Sequence, residues 1–272
     1  MGNLGFCVSH AVHVDGTGPE WVETIEKDLY IDNLPDIFRG KKIVHVSDLH
    51  CSRTVTAKYL RRCVDRVNSL DADIVLLTGD YVTHDLRGRF REKVIELIGG
   101  IRSGDGVFAC LGNHDYGMGS VLGEWNSELI SDLSEGLAAA GVKVLRNNTT
   151  AIEIDGRRLW ITGLGDLWVR DFNPDKAFEH LAKGEPNIVL SHNPDGAVHL
   201  RNYPAAVVLS GHTHGVQTGF VSCKPGLRIR SRRFHAGLYK VDEKQLYVNR
   251  GLGRLGRFFF NPRPEITVFT LK

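Results

Sequence analysis

The sequence has few of the features that would make a disulfide-stapled, membrane-spanning or strongly ionic protein. Its five cysteines, Cys7, Cys51, Cys63, Cys110 and Cys223, are odd in number, widely spread and without a Cys-x-x-Cys pair. That argues against a disulfide framework and a thiolate zinc site, and it suits a reducing compartment. No apolar run approaches the roughly 18 residues of a spanning helix. Residues 1–30 lack a basic segment followed by an apolar core, so the chain reads as soluble. A net charge of +2 gives the average surface no strong pull toward nucleic acid or membrane. Internal repeats and low-complexity segments are also absent.

What is present is enough apolar residue, 42% of 272, to bury a substantial core, and the length fits one large domain better than two small ones. Charge is distributed unevenly: Lys224 to Arg263 holds eleven Lys or Arg against Asp242 and Glu243. The C-terminal quarter is therefore basic.

Residues 6–31 alternate loosely and read as strands. Lys42 to Ser47 is a β-branched strand, and Leu60, Cys63, Val64 and Val67 form a helical stripe after it. Strands at Asp73 to Thr78 and Gly106 to Leu111 enclose a helix marked by Phe90, Val94, Leu97 and Ile98 and stopped by Gly99-Gly100. A helix over Ser127 to Ala140 follows. Strands at Val142 to Leu145, Thr150 to Ile154 and Leu159 to Gly163 come next, the last two joined by an Asp155-Gly156 hairpin. Asn173-Pro174 caps a helix expected to run to about Lys183. Beyond it lie strands at Asn187 to Leu190, Ala205 to Leu209, Gly237 to Val241, Leu246 to Asn249 and Ile266 to Leu271.

Five strands end in small polar clusters: Asp48/His50, Asp80, Asn113/His114, His192 and His212/His214. The last lies in Ser210-Gly-His-Thr-His-Gly-Val-Gln217, where histidines at i and i+2 on extended chain project to one side. Singly, each cluster has a bland reading as a helix cap, a turn residue or a core histidine. Together they mean more: strands alternating with helices build a mostly parallel sheet, which binds ligands beyond the carboxyl ends of its strands. Two Asp, one Asn and four His are too many donors for one ion and suit two ions sharing a carboxylate, with Asp80 the natural bridge. Two divalent ions against Asp48 and Asp80 leave a site that attracts phosphate.

These motifs, Asp48-x-His50, Gly79-Asp80, Gly112-Asn113-His114-Asp115, His192 and Gly211-His212-x-His214, resemble those of calcineurin-like metallophosphoesterases. The resemblance implies an α/β fold, a two-sheet sandwich flanked by helices, as one domain over 1–272. Its motif core spans about 43–217, and a strand-rich basic part follows over 218–272. By similarity, one metal takes Asp48, His50, Asp80 and His214 and the other Asp80, Asn113, His192 and His212. His114 would be the acid that protonates the leaving oxygen rather than a ligand, and Asp115 its orienting partner. The activity implied is phosphoester hydrolysis by a metal-bridging hydroxide, with manganese favoured over iron or zinc. All seven ligands and His114 are present, which disfavours a metal-binding scaffold.

Ser191 to Asp195, Gly211-His212-Thr213-His214-Gly215-x-Gln217, Leu246 to Gly253 and Pro264-Glu265-Ile266 resemble a bacterial branch that includes membrane-associated or exported phosphodiesterases and UDP-2,3-diacylglucosamine pyrophosphatases. Val216 departs from it, standing where a second Gly is common. The Gly-Asp-x-Val-Asp-Arg-Gly pattern of protein Ser/Thr phosphatases is absent, since Asp80 is followed by Tyr81-Val82-Thr83-His84-Asp85. The expected substrate is a small-molecule or lipid-linked phosphodiester or pyrophosphate, with UDP-2,3-diacylglucosamine the candidate. The alternative is a nuclease or cyclic-nucleotide phosphodiesterase, although nucleic acid is not favoured. The expected location is cytoplasmic, with peripheral contact at the inner membrane as an option. Leu252, Leu255 and Phe258 to Phe260 among Arg250, Arg254, Arg257 and Arg263 suit an acyl chain with an anionic head group, or equally a core strand with a basic edge. His45 reads as a core histidine, His84 as a residue near the mouth, and Trp125, Trp160 and Trp168 as packing residues, Trp168 with the option of bordering substrate.

Overall fold

The computed structural model describes residues 22–85, 88–117, 125–215, 233–253 and 262–272. In chain order its strands are β1 (Glu23–Leu29), β2 (Lys42–Val46), β3 (Ile74–Thr78), β4 (Gly106–Cys110), β5 (Val142–Val144), β6 (Asn148–Ile154), β7 (Arg157–Gly163), β8 (Asn187–Leu190), β9 (Val207–Ser210), β10 (Gly237–Val241), β11 (Lys244–Val248) and β12 (Glu265–Leu271). The helices are α1 (Ala57–Asn68), α2 (Arg89–Gly99), α3 (Ser127–Ala139) and the single turn α4 (Pro174–Ala177). One sheet has the order β1-β12-β2-β3-β4-β5 and the other β10-β11-β9-β8-β7-β6.

Period-two alternation builds the layers. Ile43, Ile74 and Leu76 point between the sheets, where they meet Ile161, Ile188 and Leu209 of the opposing one. Val44, Val75 and Leu77 point outward and bury the stripe of α1, Leu60, Cys63, Val64 and Val67, with α2 and α3 beside it. A third apolar cluster covers the far face of the second sheet. Both sheets are mixed, with most strand pairings parallel as expected. β12 runs antiparallel beside β2, and hairpins make β6 and β10 antiparallel edges. The central strands β2, β3, β4 and β7, β8, β9 are parallel, so their carboxyl ends gather at one rim.

Two expected boundaries shift. The helix predicted from Asn173 to Lys183 is one turn, because Ala177, Phe178 and Leu181 enter the third cluster together on tighter turns such as Leu181 N–H to Phe178 O, 3.0 Å. β11 begins at Lys244 rather than Leu246, because Asp242 adopts φ 51° and closes a two-residue turn that pairs Val241 with Lys244. Of the early segment read as strands, residues 6–21 lie outside the described residues, and Glu23–Leu29 pairs parallel with β12.

Candidate metal centre

Past Val46 the chain leaves the sheet but keeps its pairing. The Asp48 amide donates to Gly79 O at 2.9 Å, that of His50 to Asp80 O at 2.9 Å, and that of Cys51 to Tyr81 O at 2.8 Å. Asp48, His50, Asp80, His212 and His214 all have positive φ, between 49° and 72°. Each such residue costs on the order of 1 kcal/mol or more, strain that persists where the surroundings over-determine it. Here the strain bends strand ends so that their side chains meet. Two glycines permit the close approach: a Cβ on Gly79 would lie 2.3 Å from Gly112 N, and one on Gly211 would lie 2.2 Å from Asp48 Oδ2.

The side chains form two linked groups. In the first, His50 Nε2 lies 3.1 Å from His214 Nε2 and 3.7 Å from Asp48 Oδ1, and His214 Nε2 lies 3.4 Å from Asp48 Oδ1. In the second, His192 Nε2 is 3.2 Å from both Asp80 Oδ2 and His212 Nδ1. Asp80 Oδ2 belongs to both, being also 3.5 Å from His50 Nε2. Asn113 is buried in a 3-10 turn that ends β4. His114, in the same turn, brings a ring nitrogen into a third group with His50 and Asp80. Its amide donates to Asp80 Oδ1 at 2.9 Å, and its Nδ1 meets Thr83 O at 2.8 Å.

His192 Nδ1 donates to Thr78 O at 2.6 Å, so the lone pair of a neutral ring would face the Asp80 carboxylate, acceptor against acceptor. Burial alone would lower the His192 pKa, but the Asp80 carboxylate raises it well above the usual range. Burial drives His212 down to about 3 and His214 down to about 4, leaving both neutral. Burial opposes ionisation of Asp48 and Asp80, yet the surrounding histidines, His214 and His192 foremost, hold both well below the carboxylate range. Neutral imidazoles facing ionised, buried carboxylates are a donor set that fits divalent cations.

The calcineurin-like phosphoesterase family model matches residues 41–216, the stretch that carries all of these groups. The chain belongs to the calcineurin-like phosphoesterase family. It is 33% identical to phosphodiesterase YaeI of Escherichia coli, over 93% of this chain and 89% of that protein. It is 32% identical to UDP-2,3-diacylglucosamine pyrophosphatase LpxG of Chlamydia trachomatis, over 86% of this chain and 85% of that one. A solved structure from Thermus thermophilus, 13% identical, shares the fold at a TM-score of 0.52 over 78% of this chain and 90% of its own. The phosphoesterase is accordingly a metal-dependent phosphoric ester hydrolase.

One expected role fails. Asp115 does not orient the His114 ring: its buried carboxylate accepts backbone amides from Asp80 (2.8 Å), Tyr81 (2.8 Å) and Gly112 (2.9 Å). Burial and the Asp80 charge push this carboxyl up to about 7, against the pull of the Gly112 and Tyr81 amides. The residue that holds His114 is Thr83, whose hydroxyl also lies 3.2 Å from His50 Nδ1. Sequence reading missed Thr83, since a backbone carbonyl leaves no mark in residue type. The acyl-chain reading of Arg250 and Leu252 fails as well. Arg250 is bound to Glu265 (2.5 Å) and Glu23 (2.6 Å), and Leu252 is buried in the core. The tail they belong to clasps the first group instead, with Gly253 N–H donating to Asp48 O at 2.6 Å. Leu255, Phe258 to Phe260, Arg254, Arg257 and Val216 lie outside the described residues. His45 is a core histidine, with Nε2 2.9 Å from Thr78 Oγ1, and the exposed His84 has its ring 5.4 Å from that of His114. No described helix is long and apolar enough to cross a membrane.

Proposed function

We propose that this phosphoesterase hydrolyses a phosphodiester or pyrophosphate bond at two divalent cations. Asp48, His50, Asp80 and His214 would hold one, and Asp80, Asn113, His192 and His212 the other. When bound, the ions supply Lewis acidity toward phosphoryl oxygens and lower the pKa of water so that hydroxide can attack near neutral pH. The observation that carries this reading is the place of Asp80 Oδ2, within 3.5 Å of both His50 and His192. His114 is the proton donor to the leaving oxygen. Thr83 O accepts from its Nδ1, which fixes the ring and leaves Nε2 to deliver the proton. Asp80 accepts the His114 amide and so couples the acid's position to the bridge.

The mixed imidazole and carboxylate donors accept manganese, iron or zinc, and manganese is the ion we favour for activity. UDP-2,3-diacylglucosamine is the candidate substrate, supported by the likeness to a pyrophosphatase of that name across most of both chains. The test is turnover of UDP-2,3-diacylglucosamine beside cyclic nucleotides, RNA and DNA with manganese present. Preferential cleavage of the pyrophosphate supports the candidate; preferential cleavage of a nucleic acid or cyclic nucleotide replaces it.

A further inference from the structure

The histidines of the two groups are fixed by different means. His192 is held by Thr78 O on Nδ1 and His50 by the Thr83 hydroxyl on Nδ1, each a hydrogen bond behind the nitrogen that faces the centre. His212 presents Nδ1 to the centre, and what meets its ring is aromatic: Trp168 lies edge-on with centroids 4.2 Å apart and planes at 85°. Perpendicular packing of this kind restricts ring rotation, because a turned imidazole would collide with the indole.

Trp168 is itself carried on a laced loop. Asp166, 1% exposed, accepts the amides of Trp168 (2.8 Å) and Val169 (3.2 Å) through one oxygen. Asn147 closes the base of the loop, taking the Gly165 and Asn173 amides and donating to Asp171 O. Asp171 then receives Arg146 (2.6 Å) and the Tyr116 hydroxyl (2.6 Å), and Tyr116 ends the turn that carries Asn113 and His114. The segment therefore links the Asn113 turn to the ring of His212. No hydrogen bond through Trp168's indole is needed for this; the contact is one of shape.

We propose that Trp168 is a positioning residue for the cation held by Asp80, His192 and His212, setting the angle of the His212 ring for that ion while leaving the Asp48–His50–His214 group untouched. The inference rests on the two-cation reading above. Its test is manganese titration of the stripped protein by calorimetry, with electron paramagnetic resonance of the loaded protein, for wild type, Trp168→Ala, Trp168→Phe and Trp160→Phe as a control.

Trp168→Ala should weaken one of two ions by about 10-fold or more, the usual effect of losing a group that orients a ligand. The resonance of a coupled ion pair should give way to that of an isolated ion at limiting manganese. Trp168→Phe, which keeps an aromatic edge, should recover most of the affinity, and Trp160→Phe should match wild type. Equal weakening of both ions, or two unchanged affinities in a folded Trp168→Ala, overturns the proposal, and so does a Trp168→Phe as weak as Trp168→Ala. If Trp168→Ala fails to fold, Trp168→Phe and Trp168→Leu carry the comparison, Leu being expected to lose the ion that Phe retains. Wild type that binds a single ion contradicts the two-cation reading instead, so the two failures are distinguishable.

Discussion

Asp115 lies beneath Asp80, and one of its oxygens accepts the Asp80 amide at 2.8 Å and the Gly112 amide at 2.9 Å. One carboxylate thus ties the loop after β3 to the loop after β4, the two that deliver Asp80, Asn113 and His114. Asp115→Asn would turn an amide donor toward these N–H groups. Leaving such buried donors unsatisfied costs about 1–3 kcal/mol each. The variant should unfold at lower denaturant, with loss of metal affinity in the same proportion. Unchanged stability with only turnover lost would place Asp115 in the chemistry rather than the framework.

Thr83 serves two histidines by two different atoms, its carbonyl for His114 and its hydroxyl for His50. Thr83→Val keeps the carbonyl and removes the hydroxyl. The expected outcome is manganese affinity reduced about 10-fold, the cost of losing an outer partner of a ligand. Activity at saturating manganese should stay near wild type. A fall in saturated turnover that matches His114→Ala would show that the hydroxyl, not the carbonyl, supports the acid.

Protonation competes with the cation at His192. Asp80 raises this imidazole well above its ordinary pKa despite burial, so the metal-free centre keeps a proton that an ion must displace. Because the folded pKa is raised, the proton is bound throughout the range below it. Apparent metal affinity should therefore climb as pH rises, and calorimetry in buffers of different ionisation enthalpy should show proton release on binding. Affinity independent of pH from 6 to about 8 would contradict a protonated His192 in the metal-free state.

The layers were legible because alternation and the 3.6-residue stripe report burial directly: β2, β3, β4 and α1 fall within a residue or a few of their expected bounds. The convergence of the clusters was legible for a related reason, since parallel strands expose their carboxyl ends together. The insertion of β12 between β1 and β2 was not, because pairing between strands at opposite ends of the chain leaves no local pattern. Asp115 misled for a physical reason: neighbouring residues in a tight turn point apart, so adjacency to His114 said nothing of contact. Trp168 and Thr83 act through shape and a backbone carbonyl, neither of which is written in residue spacing.

The most direct test is hydrolysis of bis-p-nitrophenyl phosphate beside p-nitrophenyl phosphate by stripped protein, by manganese-loaded protein and by loaded His114→Ala. The account predicts no turnover without metal, diester cleavage above monoester cleavage with it, and a loss of about 100-fold or more in His114→Ala with both ions retained. Metal-independent cleavage, or wild-type turnover by His114→Ala, would contradict it.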